Sequence, residues 1–374
     1  MKIGVGEVRI SDISRDNVMD ALADNRLTYG PWTKKFEAAW ARLHRQRFAI
    51  FMNSGTSALH CALAALKEQH GWPDGAKVVV PATTFVATLN TVISNNLTPV
   101  FADVNDSDFL ISTHGWHGDA VAVVPVALYG APVPLAVYEQ ANERGMAVVT
   151  DACEAALYPN PTGGDITCFS TYACHIIQTG VGGFATTDSD VLATYLRSLM
   201  NHGRNGWYYS IDQELGDIEV INARFQFDRV GYSYRATEME AAIGVGELDT
   251  WAQNLTNRAA NATYLRTALA DLPLQFSTVP THGSSWMFFP IVAESRQVRD
   301  ALVTFLESRG IETRMLLPLT NQPYVDERFG YIRGRYPVAD KLNRRAFYVG
   351  CHQYLTGDEL TYMKGAFHEF FART

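Results

Sequence analysis

An apolar run of the roughly 20 residues that a helix needs to cross a bilayer is missing from this 374-residue chain. Residues 1–7 also lack the apolar core of a secretory signal, so no membrane contact is expected and the protein is expected in the cytoplasm. Basic charge is short too, with 31 Lys and Arg against 39 Asp and Glu and a formal net charge of -8. Nothing there builds a field for nucleic acid or an anionic membrane, and any anionic ligand needs local donors. The five cysteines, Cys61, Cys153, Cys168, Cys174 and Cys351, are odd in number and lack paired metal-ligand spacing. Reduced thiols are expected, with neither a disulfide framework nor a metal site. Internal repeats and low-complexity tracts are absent.

What the chain does have is alternation. Phe36, Trp40 and Leu43 recur at helical spacing, which predicts an amphipathic helix over residues 33–47, entered through Gly30-Pro31. Short apolar runs at 48–52, 78–81, 100–104, 120–126 and 147–150 read as buried strands, with helices in the gaps. This is the pattern of crossover units in a mostly parallel sheet covered on both faces, so residues 1–250 are expected to form a large α/β domain. From residue 251 the texture changes to a polar helix at 251–270, a strand at 287–292, a helix with Val298, Leu302 and Phe305 on one face, and a closing amphipathic helix. A smaller α+β domain over residues 251–374 is expected. Residues 316–336, rich in Pro, Gly, Asn and Arg, read as a long loop of the kind that carries function more often than packing.

Several residues could carry chemistry, each with a plainer reading beside it. Asn53-Ser54-Gly55-Thr56-Ser57 follows a strand and opens a helix, where backbone N–H groups, hydroxyls and the positive helix end can hold a phosphate. A simple cap by Ser54 or Thr56 accounts for the same residues equally well. Asp151 ends an apolar run, at the edge where parallel sheets place ligands. A protonated pyridine nitrogen would give a buried aspartate its cation, while a helix cap is the commoner role. Phe85 either stacks on a planar ring or belongs to the core. Ser170 stands at a strand end five residues before His175, and both precede Gly180 and Gly182-Gly183. His175 is either a general acid or base or a hydrogen-bonded core histidine.

Taken in order, Leu27-Thr28-Tyr29-Gly30-Pro31, the 53–57 loop, Asp151, the 170–183 stretch and Gly231-Tyr232-Ser233-Tyr234-Arg235-Ala236-Thr237-Glu238-Met239-Glu240-Ala241-Ala242 resemble the DegT/DnrJ/EryC1/StrS family across essentially the whole chain. The resemblance implies a fold-type I, aminotransferase-like architecture and a pyridoxal 5'-phosphate or pyridoxamine 5'-phosphate cofactor. It further implies a nucleotide-linked keto-sugar as substrate and a homodimer with shared active sites. By position it makes Gly55, Thr56, Ser57 and Ser170 phosphate contacts, Phe85 the ring that stacks on the pyridine, and Asp151 the partner of its nitrogen. Glu154 falls near the cofactor's 3-hydroxyl. Where most members carry an asparagine that reaches the neighbouring subunit's cofactor, this chain has Ser233.

Most of the family has lysine at position 175, because an aminotransferase stores its aldehyde cofactor as an internal Schiff base. Histidine cannot form that linkage, and no lysine at all occurs between Lys77 and Lys341. Histidine at this position resembles the sugar 3-dehydratase branch of the family, typified by GDP-4-keto-6-deoxy-D-mannose 3-dehydratase, where the working cofactor is pyridoxamine phosphate and glutamate regenerates it. Asn201-His202-Gly203-Arg204-Asn205-Gly206-Trp207, Leu319-Thr320-Asn321-Gln322-Pro323 and Phe347-Tyr348-Val349-Gly350 echo that branch, although Gln322 stands where a basic residue is expected. An iron-sulfur cluster, as in the related CDP-sugar enzyme, is not expected, since Cys351 is the only cysteine after Cys174. The implied reaction is removal of the C3 hydroxyl of a nucleotide-linked 4-keto-6-deoxy sugar, with His175 as acid and base. An aminotransferase, a decarboxylase or lyase on another substrate, and a non-catalytic binding protein on the same fold are the alternatives. Ser170, Asp151 and Glu154 speak against the binder, which has no use for a ring-activating aspartate.

Overall fold

The computed structural model describes residues 1–155, 164–205, 218, 222 and 225–373. Seven strands form the larger sheet: β1 (Phe48–Met52), β2 (Lys77–Pro81), β3 (Thr98–Ala102), β4 (Ala122–Val123), β5 (Ala147–Asp151), β6 (Ile166–Ser170) and β7 (Gly183–Thr187). Their order is β1-β7-β6-β5-β4-β2-β3. Pairing is parallel from β6 through β5, β4 and β2 to β3, and antiparallel where β7 meets β6 and β1. Only β7 therefore runs against the rest, and the sheet is mostly parallel, as the alternation predicts.

Successive strand residues point to opposite faces, and the two faces build separate cores. Ile50, Met52, Val78, Val80, Val149 and Ile166 pack with Leu59, Leu63, Leu66, Leu89, Val92 and Leu196, from helices α3 (Gly55–His70), α4 (Val86–Ser94) and α6 (Asp190–Leu199). Ala49, Phe51, Val79, Val123, Val148 and Phe169 pack the other way against Phe36, Trp40 and Val137, from α2 (Pro31–His44) and α5 (Leu135–Glu143). Trp40 stacks on Phe184 with centroids 4.4 Å apart and 10° between planes.

A second, wholly antiparallel sheet has the order β10-β11-β9-β8, from β8 (Leu274–Phe276), β9 (Phe288–Ala293), β10 (Thr313–Met315) and β11 (Ala346–Gly350). Helices Trp251–Ala268, Arg296–Ser308, Pro337–Arg345 and Gly357–Arg373 accompany it. Its core also takes in Ile3, Phe109, Leu128 and Tyr129. The first residues of the chain thus cross to this sheet, where Ile3 bridges Ile311. Two expectations change. The predicted strand at 120–126 shortens to Ala122–Val123. The expected loop at 316–336 contains helix Pro323–Phe329, with Pro at its first turn, and buries Leu319, Val325 and Ile332, so apolar side chains among the turn residues anchor it.

Candidate active site

Parallel strands share one carboxyl edge, and connections leaving that edge bring distant residues together. The 53–57 loop leaves β1, residues 82–85 leave β2, Asp151 ends β5 and Ser170 ends β6. β7 enters at the same edge, because it is antiparallel and begins there with Gly183.

The 53–57 loop sits close on the ends of β5 and β6. A Cβ added at Gly55 would lie 2.7 Å from Cys153 Sγ and 2.9 Å from Ser170 Cβ, so only glycine lets the loop approach. Ser54 caps α3, its hydroxyl accepting from Ser57 N at 3.0 Å. The plainer reading thus holds for Ser54. Ser57 Oγ donates to Asn53 Oδ1 at 2.7 Å, while Thr56 is exposed. Ser170 is buried and accepts from Tyr172 N at 3.2 Å.

Phe85 is 56% exposed, which removes it from the core. It holds the turn before α4 in an extended conformation. Asp151 is buried, and burial raises its carboxyl pKa. Thr88 Oγ1, one turn into α4, donates to its Oδ2 at 2.8 Å, and Cys153 N to its Oδ1 at 3.2 Å. No basic side chain pairs with it among the described residues. A buried carboxylate without a cation is costly.

Glu154 Oε2 accepts from Tyr129 N at 2.7 Å. Burial, with Asp151 nearby, pushes its pKa up to about 8, so it keeps a proton at neutral pH. His175 is half-buried, and its Nδ1 lies 2.6 Å from the Cys153 carbonyl oxygen. A carbonyl only accepts, so Nδ1 carries the proton and Nε2 keeps its lone pair. Burial lowers the imidazole pKa to about 4, and the Arg258 guanidinium adds to the effect. The outcome is a neutral imidazole of defined tautomer held at the Cys153 carbonyl. The lysines flanking the long lysine-free span are occupied elsewhere: Lys77 pairs with Asp119 and Lys341 with Asp106.

Ser233 is exposed and its backbone pairs with Asn201. The Tyr234 carbonyl accepts from Asn53 N at 2.8 Å, which ties the 231–235 motif to the 53–57 loop. Glu238 of the same motif is buried and accepts from Gly30 N at 2.7 Å, Trp32 N at 2.8 Å and Thr33 N at 3.1 Å. It therefore caps α2 and joins the 27–31 segment to the 231–242 segment. Gln322 stands at the N-cap position of helix Pro323–Phe329 without a side-chain capping bond and donates to the Pro318 carbonyl at 2.6 Å. Of the 201–207 stretch, Gly206 and Trp207 lie outside the described residues. Thr88, the Cys153 carbonyl and the Tyr129 amide carry no signal in the sequence, because they reach the site through space or through the backbone. Among the described residues, no helix is long and apolar enough to cross a membrane.

Comparison with known proteins places these observations. A dTDP-4-dehydro-2,6-dideoxy-D-glucose 3-dehydratase of Saccharopolyspora spinosa is 29% identical over 98% of this chain and 86% of its own length. An uncharacterised protein of Methanocaldococcus jannaschii is 28% identical over 95% and 93%. The fold is shared with an E. coli GDP-4-keto-6-deoxy-D-mannose-3-dehydratase solved with bound hydrated PLP, at a TM-score of 0.88 and 24% identity over 98% of this chain and 99% of that one. It is shared equally with the Helicobacter pylori aminotransferase PseC, at a TM-score of 0.88 and 19% identity over the whole of both chains. The model of the DegT/DnrJ/EryC1/StrS aminotransferase family matches residues 9–368, and the chain belongs to that family.

Proposed function

We propose that this protein is a pyridoxamine phosphate-dependent dehydratase that removes the C3 hydroxyl of a nucleotide-linked 4-keto-6-deoxy sugar, with glutamate as the amino donor that regenerates the cofactor. The observation that carries this reading is His175. By the family resemblance it takes the place of the lysine amine, and its Nδ1 lies on the Cys153 carbonyl, which would leave Nε2 as a base.

The residues present fit the cofactor. Gly55, Thr56, Ser57 and Ser170 would hold its phosphate at the start of α3, where the helix end favours an anion. Phe85, exposed above the strand edge, would cover one face of the ring. Asp151 would hold the proton on the pyridine nitrogen and gain the cation it lacks. Glu154, protonated near neutral pH, would donate to the ring's oxygen substituent while Tyr129 N fixes its other oxygen. When bound, pyridoxamine phosphate supplies an amine for the sugar ketone and an electron-withdrawing ring beside the carbon that loses its proton. His175 Nε2 would accept that proton and, as imidazolium, would deliver one to the departing C3 hydroxyl. A low imidazole pKa suits the second half of this task, because the imidazolium gives its proton up readily. Ser233 would serve the cofactor of a neighbouring subunit in a homodimer.

Incubation with pyridoxamine phosphate, glutamate and a panel of nucleotide-linked 4-keto-6-deoxy sugars, read by product mass, tests the proposal. A 3-deoxy product lighter than its substrate by one oxygen atom, with ammonia released and two hydrogens drawn from the cofactor that glutamate renews, supports it. An amine in place of the ketone, with the C3 oxygen retained, would instead establish the aminotransferase reading, which the shared fold of PseC keeps in play.

A further inference from the structure

The second sheet meets the candidate site at the 129–130 turn, where Met287 N, just before β9, donates to the Tyr129 carbonyl at 3.0 Å and a Cβ at Gly130 would lie 3.0 Å from the Glu154 carbonyl oxygen. On β11, Tyr348 is the register partner of Arg314 on β10 and of Pro290 on β9. Its ring stacks on Phe288, centroids 3.8 Å apart and planes 20° from parallel, so the phenol is aimed by packing. Phe288 in turn lies 6.4 Å, centroid to centroid, from Tyr129, whose backbone N–H holds Glu154.

Residues 4–6 join the end of β11 to the residue before the imidazole: a Cβ at Gly350 would lie 3.0 Å from Val5 Cα, and one at Gly6 would lie 3.2 Å from Cys174 Cβ. Cys174 immediately precedes His175 and is exposed, and Glu154 immediately follows the residue whose carbonyl fixes the imidazole. Tyr348 therefore looks onto the pocket from the side of the second sheet. It is half-buried, and its hydroxyl is not among the polar atoms sealed from solvent without a partner. A phenol O–H that solvent reaches can donate to the acceptor of a bound ligand in place of water.

We propose that Tyr348 is a specificity-determining residue, whose phenol hydrogen-bonds a hydroxyl of the sugar held against His175. The proposal rests on the sugar reading above. The plain alternative is that the ring only packs on Phe288, and Tyr348→Phe separates the two because it keeps the ring and deletes the O–H alone.

Equilibrium binding of the nucleotide-linked 4-keto-6-deoxy sugars is measured for the cofactor-loaded wild type and Tyr348→Phe, with a 2-deoxy analogue of the sugar that binds. The glutamate-driven conversion of pyridoxal phosphate to pyridoxamine phosphate is followed by absorbance in both proteins. Dissociation constants and the reciprocal of kcat/KM for the sugar are expected to rise roughly 10-fold to 100-fold in the variant, the range for deleting one partner of a site hydrogen bond. The glutamate half-reaction stays unchanged. If the analogue binds both proteins alike, the hydroxyl read is the one at C2; if the analogue still discriminates, it is another hydroxyl of the ring, and both results support the proposal. Equal sugar affinity in the two proteins overturns it, as does an equal loss in both half-reactions, which marks a structural role. A wild type that binds these sugars but releases no 3-deoxy product overturns the dehydratase reading and leaves the binding ratio to decide Tyr348. A wild type that binds none of them overturns both.

Discussion

Because the Cys153 carbonyl can only accept, His175 holds its proton on Nδ1 and offers Nε2. His175→Ala is therefore expected to retain the cofactor and to lose turnover by roughly 10²- to 10⁴-fold, the usual weight of a positioned acid-base group. His175→Lys restores an amine, which predicts cofactor trapped covalently on borohydride reduction and a shift from water loss to amine gain. Undiminished dehydration in the alanine variant would remove His175 from the reaction. The same residue predicts a pH effect in the cofactor-free protein. Its folded pKa is lowered to about 4 from the ordinary 6.5, so the unfolded chain takes up the proton first on acidification. The stability this residue contributes is complete above 6.5 and is lost as pH falls toward 4. Against His175→Asn, the wild type should lose urea resistance across that interval; parallel curves would contradict the assignment. Asp151 behaves differently, as a buried carboxylate without a cation. Asp151→Asn keeps an oxygen to accept from Cys153 N, lets the Thr88 hydroxyl turn to accept from the new amide, and removes the charge, so the cofactor-free variant should unfold no more easily than wild type. Its turnover should fall by about 100-fold or more, since a neutral amide cannot hold the ring nitrogen protonated. A variant that loses stability and keeps activity would reverse that account.

At the scale of elements, the site depends on how closely the turn before α3 sits on the end of β6. Gly55→Ala would press a methyl to within 2.7 Å of Cys153 Sγ and 2.9 Å of Ser170 Cβ. The loop must move off β6, and cofactor affinity should fall by about tenfold or more, measurable by fluorescence titration; unchanged affinity would show that the loop tolerates the displacement. The elements that were legible in the sequence share one property. β1, β2 and β5 are apolar runs buried on both faces, and the residues that follow them, 53–57, Phe85 and Asp151, stand out against that background. β10 escapes such reading because Thr313-Arg314-Met315 is short and two of its residues are exposed. Helix Pro323–Phe329 escapes it because seven residues rich in charge look like loop until Val325 is seen to be buried. The pattern likewise marks Asp151 and His175 by residue type, but the partners that set their protonation, Thr88, Cys153 and Tyr129, lie 63, 22 and, for Glu154, 25 positions away from the groups they hold. Only the crossover topology brings them together.

At the scale of the whole molecule, the 231–235 motif bears on how copies of the chain could share a site. Tyr234 ties the motif to the 53–57 loop, while Ser233 faces solvent. Apolar side chains are exposed nearby in sequence at Phe225, Phe227 and Val230, and again on helix α1 (Asp12–Ala23) at Ile13, Met19 and Leu22. Exposed apolar surface of this kind is what association between copies covers, and a twofold arrangement would exchange the motif between partners. If Ser233 serves the neighbour's cofactor, each site takes His175 from one chain and Ser233 from the other. Two inactive proteins, His175→Ala and Ser233→Arg, should then complement each other when mixed after mild dissociation. In a hybrid dimer one site receives both lesions and the other receives neither. Random reassortment makes half the dimers hybrid, so the mixture should recover about a quarter of wild-type activity, with sedimentation velocity reporting a dimer throughout. A site built from one chain alone gives no recovery, because every site then keeps the lesion of its own subunit.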